Sequence, residues 1–179
     1  PAIGPTHMAQ VAGGAFQQGL TPLSMMAAPS FNDAFVREGF ALAPLFTSGS
    51  MYLMAFVAPY EAETAGHATM RATFTAMGID SANTFLVAGW ASQHHLKGVL
   101  EAANKGGDLT RAGIRRAAGS VYVDSDGMMP QRELGQNRAD AESFIAVPDG
   151  TIASGVKLLA GNYVGPSAGG YDWESGPCS

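Results

Sequence analysis

The chain has 179 residues, of which 46% are hydrophobic and 14% charged, well under the roughly 25% charged content of average proteins, so disordered and coiled-coil classes are excluded. The net charge of -5 offers no basic stripe to neutralise phosphates, which argues against nucleic acid as a partner. A single cysteine, Cys178, excludes a zinc cluster or an internal disulfide framework.

Residues 1–32 carry no Asp, Glu, Lys or Arg, and the run opens on Pro1 without the basic and apolar regions of a signal peptide. Pro5 and Thr6 open a helical pattern in which Met8, Val11, Ala12, Ala15 and Phe16 form one apolar stripe. Gly19 followed by Leu20 closes it, Gly supplying the left-handed residue and Leu folding back on the last turn. Residues 23–28 are a short apolar run expected of a strand covered on both faces. The stretch 29–32 is a loop, with Asn32 or Asp33 capping a short helix through Arg37. The uncharged run 39–60 is broken by Pro44, a Thr47-Ser48-Gly49-Ser50 cluster and Pro59, so it reads as buried strands over 40–46 and 52–58, not a membrane span.

After Pro59 charges and helical spacing arrive together. Met70, Phe74 and Met77 mark a helix ending at Gly78, and a longer one runs from Asn83 to Asn104 until Gly106-Gly107 stops it. Thr110 caps a third, with Leu109 and Ile114 at the positions of a hydrophobic staple and the apolar face continuing through Ala117, Ala118 and Val121. Residues 143–147 and 151–156 then flank the turn Pro148-Asp149-Gly150, a hairpin signal. From 161 to 179 the chain is Gly, Pro and Ser rich and reads as a loose tail. The order predicts an α/β protein whose sheet is fed from distant segments.

Catalytic motifs are weak. Gly165-Pro166-Ser167-Ala168-Gly169 matches the G-x-S-x-G nucleophile elbow formally, but the motif needs a strand before the serine, a helix after it and a later histidine, and the last histidine is His95. His94 and His95 project about 100° apart on a helix, so they do not chelate one metal, and His67 and His7 have no carboxylate or cysteine at ligand spacing. All four read as surface or interface histidines. Asp124-Ser125-Asp126-Gly127 lacks the third acid and bidentate Glu of a calcium loop and reads as a turn. Gly13-Gly14 reads as close helix–sheet packing, and Lys105, Arg111, Arg115 and Arg116 as a solvated face. No catalytic function is supported, and no cofactor or metal is implied. What remains are loops at strand ends and helix starts, where open α/β sheets bind ligands: Gly4-Pro5-Thr6 entering the first helix, and Ala28-Pro29-Ser30-Phe31 leaving the first strand.

These features come together in a resemblance. The stretch Thr6-His7-Met8-Ala9-Gln10 through Gln17-Gln18-Gly19-Leu20, the strand Ser24-Met25-Met26-Ala27, Gly89-Trp90-Ala91-Ser92, Gly98 to Ala103 and Gly107-Asp108-Leu109-Thr110-Arg111 resemble, in order and spacing, the carboxy-terminal half of a branched-chain amino-acid type (type I) periplasmic solute-binding protein of ABC transporters. The likeness extends over about residues 1–160. It implies two α/β lobes joined by a hinge: residues 1–59 in the second lobe, 60–141 returning to the first, 142–160 a hairpin crossing back, and 161–179 a flexible tail. Pro59 would stand at the hinge. It implies a non-enzymatic role, with a small-molecule ligand in an interlobe cleft lined by Pro5, Thr6, Ala28, Ser30 and Phe31, no cofactor and no metal. The partners implied are the missing N-terminal half of the same protein and an ABC permease in the membrane. The location implied is periplasmic or extracellular, with a lipid anchor upstream as one arrangement. In amino-acid binders of this family the second loop often supplies an acid for the ligand ammonium, whereas here no acid precedes Asp33, which points to a neutral or carboxylate-bearing, partly apolar ligand. An extracellular sensing domain is the alternative role, and an esterase using Ser167 a remote one.

Overall fold

The computed structural model describes residues 3–130, 132–133 and 142–169. It is a mixed α/β protein, with a four-stranded sheet and helices fed from separated segments, as the sequence order predicts. Helix α1 (Pro5–Gln17) starts at an extended Gly4 with proline in its first turn, and ends where Gly19 takes φ +74° and Leu20 N–H returns to the Ala15 carbonyl at 3.0 Å. The helix buries Met8, Ala12 and Gly13, while Val11 and Phe16 stay about half exposed. A Cβ on Gly13 would come 3.1 Å from Leu42, so close packing explains this glycine, though not Gly14, which faces open space.

Strand β1 (Ser24–Ala27) pairs in parallel with β2 (Met51–Ala55), and β2 pairs antiparallel with β5 (Glu142–Pro148), which pairs antiparallel with β6 (Val156–Val164). One sheet face packs with α1 into a core of Met8, Ala12, Met26, Phe46, Met51, Leu53 and Ala146. On the opposite face Met25 is 47% and Met54 49% exposed, so among the described residues β1 is not fully covered on both sides as its apolar run suggested.

Between β1 and β2 the expected strand over 40–46 is instead a turn and the short helix α2 (Ala43–Phe46). An unbroken apolar run does not distinguish strand from helix by itself. Here Gly39 takes φ +88°, Pro44 occupies the first helical turn, and Phe40 and Phe46 stack on Phe35 with ring centres at 5.2 and 4.7 Å. Burial of a side chain such as Phe46 contributes roughly 2–3 kcal/mol, which outweighs any strand preference of this stretch.

Leaving β2, the chain crosses to a helical block of α3 (Ala65–Ala76), α4 (Thr84–Lys105) and α5 (Arg111–Ala118), with the two-stranded ribbon β3 (Tyr122–Val123) and β4 (Arg132–Glu133). The three helices start and stop as their capping chemistry dictates. Thr64, Asn83 and Thr110 accept backbone N–H groups at their N-termini, and Gly78 and Gly107 take φ +75° and +71° after α3 and α4. The staple at α5 leaves Leu109 57% exposed. This block has its own core of Val57, Tyr60, Met70, Phe74, Val87, Ala91, Met128 and Met129, and a small cluster of Ala28, Ala55, Ala58 and Phe144 lies where the crossing leaves the sheet.

The hairpin turn is longer than expected. Residues 151–155 are loop, and β6 starts at Val156 and takes in residues 161–164, where the Gly-rich composition predicts a tail. Asp149 drives this locally, because its carboxylate accepts the Thr151 N–H at 2.9 Å and hydroxyl at 2.6 Å, and Gly155 at φ +79° turns the chain into the strand. Residues 170–179, with Cys178, and residues 134–141 lie outside the described residues.

Candidate binding crevice

Two capped turns face one another across the junction of sheet and helical block. From the sheet side comes the loop after β1. Its Asn32 Oδ1 accepts Ala34 N–H at 2.9 Å and thereby caps the 3-10 turn Asp33–Val36. From the helical side comes the N-terminus of α4, where Asn83 Oδ1 accepts Phe85 and Leu86 N–H, each at 3.1 Å. A narrow crevice between them, about 10 Å³ and so roomy enough for a single water, is lined by Phe31, Asn32, Asp33, Asn83, Thr84 and Phe85, with Ser154 of the hairpin turn at its edge; a larger guest requires its two sides to part.

The lining chemistry follows from the caps. Each asparagine spends its carbonyl oxygen on the backbone, which orients the side-chain amide and leaves both of its N–H donors for another partner. Thr84 adds a hydroxyl at the first residue of α4, where the helix dipole favours an acceptor. Phe31 is buried edge-on to Phe35 at 6.0 Å, and Phe85 is 49% exposed. Asp33 is the one ionisable residue in the lining, with the Arg37 guanidinium 3.6 Å away. The loop after β1 therefore does bring an acid to the crevice, but one that Arg37 partly neutralises.

The hairpin turn is held rigidly beside this crevice. Arg37 donates to the carbonyls of Ile152 (3.2 Å) and Ala153, and Glu61 accepts both the Ser154 N–H at 2.9 Å and its hydroxyl at 2.5 Å. Ser154 is 2% exposed, so this charge-assisted pair is desolvated on the serine side. A Cβ on Gly150 would lie 2.6 Å from the Val36 carbonyl, and one on Gly155 3.0 Å from Asp33, so backbone contact itself sets the wall.

Of the five residues expected to line a cleft, Phe31 does line the crevice. Ser30 is fully buried and accepts the Ile3 N–H at 3.0 Å, so it ties the loop after β1 to the entry of α1. Ala28 is buried in the junction cluster, Pro5 is half-buried in the first turn of α1, and Thr6 is exposed. Sequence reasoning missed Asn83, Thr84, Phe85 and Ser154, and gave Asn32 and Asp33 only a capping role. The signal for the first three is the Asn83 cap of α4, since a helix N-terminus is a ligand-facing feature there as at α1.

Other candidates find different places. His67, expected at a surface or interface, is fully buried, whereas His94 and His95 are half-buried and His7 is exposed. Asp124 and Gly127 do form a turn, with the Asp124 carboxylate accepting Asp126 N–H at 2.8 Å and Asp126 at φ +52°. Ser167 is exposed within the four-residue helix α6 (Pro166–Gly169), and among the described residues no histidine pairs with it. Among the described residues no group of three His, Cys, Asp or Glu could hold a metal, and no helix is long and apolar enough to cross a membrane. A broader, open groove of about 550 Å³ runs between α4 and β3, past Trp90, His94, Lys97 and Tyr122.

No protein-family model matches the chain, and no curated relative does. Among solved structures, it is similar to a fatty acid ABC transporter substrate-binding protein from Thermomonospora curvata, with a TM-score of 0.80 and 20% identity, over 95% of this chain and 44% of that one. The fold class is thus that of a periplasmic-binding-protein-like α/β structure. The chain spans less than half the length of the structure that it matches.

Proposed function

We propose that this chain is part of an extracytoplasmic solute-binding protein of the type I class, serving an ABC importer by capturing a small molecule between two lobes and presenting it to a membrane permease. The observation that carries the reading is the two-sided crevice, with Phe31, Asn32 and Asp33 on the sheet side and Asn83, Thr84 and Phe85 on the helical side. Segments 1–59 and 142–160 would belong to one lobe and 60–141 to the other, with the crossing at Ala58 and Pro59 as a hinge. Opposed linings of this kind let a guest stabilise a closed arrangement by touching both jaws. Pro5, Thr6, Ala28 and Ser30 then shape the sheet-side jaw, and Phe31 touches the guest.

The guest we infer bears an acceptor group, a carboxylate or amide, on a partly apolar body. Three oriented donors and two aromatic rings support this, as does the carboxylate-plus-chain chemistry named for the similar structure. An amino-acid-like guest would place its ammonium at Asp33, where the Arg37 pair weakens the attraction. The sheet face exposed at Met25 and Met54, together with Leu86, Leu96 and Leu100 exposed along α4, fits cover by a further α/β segment of the same polypeptide, the missing half that the resemblance implies. An extracellular sensing domain would use the same crevice and differ in what it is joined to. Ser167, exposed and without a histidine partner among the described residues, gives an esterase no comparable support.

The test is a calorimetric titration of a two-lobed protein carrying this chain, with straight-chain carboxylates, the matching amides and alcohols, and α-amino acids. Carboxylates or amides should bind and raise the thermal midpoint in proportion to the logarithm of ligand concentration over Kd. Absence of binding across the panel contradicts the reading.

A further inference from the structure

Two arginines pin two segments that meet beside the crevice. On the helical side, Arg71 of α3 donates to the carbonyls of Tyr60 and Ala62, each at 2.9 Å, so the backbone on either side of Glu61 is fastened to the helical block. On the sheet side, the Arg37 guanidinium holds the Ile152 and Ala153 carbonyls and so fastens the hairpin turn to the segment after β1. Between them, the half-buried Glu61 carboxylate takes both donors of Ser154, the backbone N–H at 2.9 Å and the hydroxyl at 2.5 Å. The hydroxyl has one proton to give, and the Val156 carbonyl, at 3.4 Å, is the poorer acceptor for it. Glu61 and Ser154 thus make a two-bond bridge from the helical block to the sheet. Its strength comes from the charged acceptor and from the burial of Ser154.

We propose that Glu61 and Ser154 form a latch that keeps the crevice shut while it is empty, so that a guest enters only as this bridge breaks. Ser154 itself lines the crevice edge, and the shut crevice has room for a single water. The rest of the lining moves with one end of the bridge or the other. Asp33 pairs with Arg37 and lies against Gly155, so Phe31, Asn32 and Asp33 travel with Ser154. The first turns of α4 share a core with α3 through Met70, Phe74, Val87 and Ala91, so Asn83, Thr84 and Phe85 travel with Glu61. Parting the two linings by only about 1 Å takes both bonds out of hydrogen-bond range. The latch therefore makes the shut form the resting one, and a guest binds more weakly by the fraction of molecules that are open. That effect on a guest rests on the proposed solute-binding role, whereas the shut resting form does not.

The test is a pulsed spin-label distance measurement on the full chain with no guest present. Labels go on Thr47→Cys beside the sheet and Arg115→Cys in α5, both exposed positions, with Cys178→Ser removing the native thiol. The latched chain should give one narrow distance, and Glu61→Ala should add a second population of about a tenth of the molecules or more. Glu61→Gln keeps a single acceptor and Ser154→Ala keeps only the backbone bond, so each should add a smaller second population, and these two decide the matter if Glu61→Ala does not fold. An unchanged distribution in the folded variants overturns the latch. In the two-lobed protein, a straight-chain carboxylate should bind Glu61→Ala about tenfold more tightly and associate faster, a gain that a merely structural contact would not produce. Unchanged or weaker binding there overturns the latch as a barrier to entry. If no member of the ligand panel binds either protein, the solute-binding role fails, and the distances alone uphold or overturn the latch.

Discussion

Ser30 shows how one side chain can look like a ligand contact and act as a clasp. Fully buried, it gives its hydroxyl oxygen to the Ile3 N–H, and Ser30→Ala leaves that donor without this partner. The expected loss is about 1–3 kcal/mol in urea denaturation. Asp33 behaves differently, since it lines the crevice with Arg37 nearby. Asp33→Asn should tighten a carboxylate guest and weaken one bearing an ammonium group, a reversal of preference read in parallel titrations. Sequence alone pointed to the loop after the first strand, and Phe31 of that loop lines the crevice. It could not separate residues that touch a guest from residues that hold the loop, since that depends on the Ile3 contact and on burial.

At the scale of elements, the proposed function makes Asn83 of the α4 cap serve both stability and recognition. Asn83→Ala removes the cap and should cost about 1 kcal/mol, whereas Asn83→Asp keeps a capping oxygen and so should keep stability. The same Asp variant replaces the free donors with an anion and should weaken a carboxylate guest at least tenfold, so comparing melting midpoint with affinity separates the two roles. The helices were legible because caps and glycine stops act within a few residues, as at Thr110 and Gly107. The strands were less so. The 40–46 run became a helical turn because Phe40 and Phe46 pack on the Phe35 ring there, and β6 starts late because the Asp149 turn and Gly155 take up residues 149–155. Gly155→Ala tests that account of the hairpin. With φ +79° and Asp33 at 3.0 Å, the variant should lose about 1–3 kcal/mol by thermal unfolding.

Across the whole molecule, two cores meet at a thin junction. Val57, Ala58 and Tyr60 are almost fully buried there, yet the contacts between the bodies rest on few side chains, notably Glu61 with Ser154 and His67 with Ala58. Under the proposed function this junction is where the jaws would hinge to close on a guest. The exposed sheet face and the exposed leucines of α4 make a second claim: a two-lobed protein should unfold at a higher temperature than the chain alone, because those surfaces leave water. The most direct measurement of the central claim is hydrogen exchange on that two-lobed protein with and without a bound straight-chain carboxylate. The account predicts added protection in both the 31–34 loop and the 83–87 turn of α4 on binding. Protection on one side alone, or on neither while binding is measured, would contradict it.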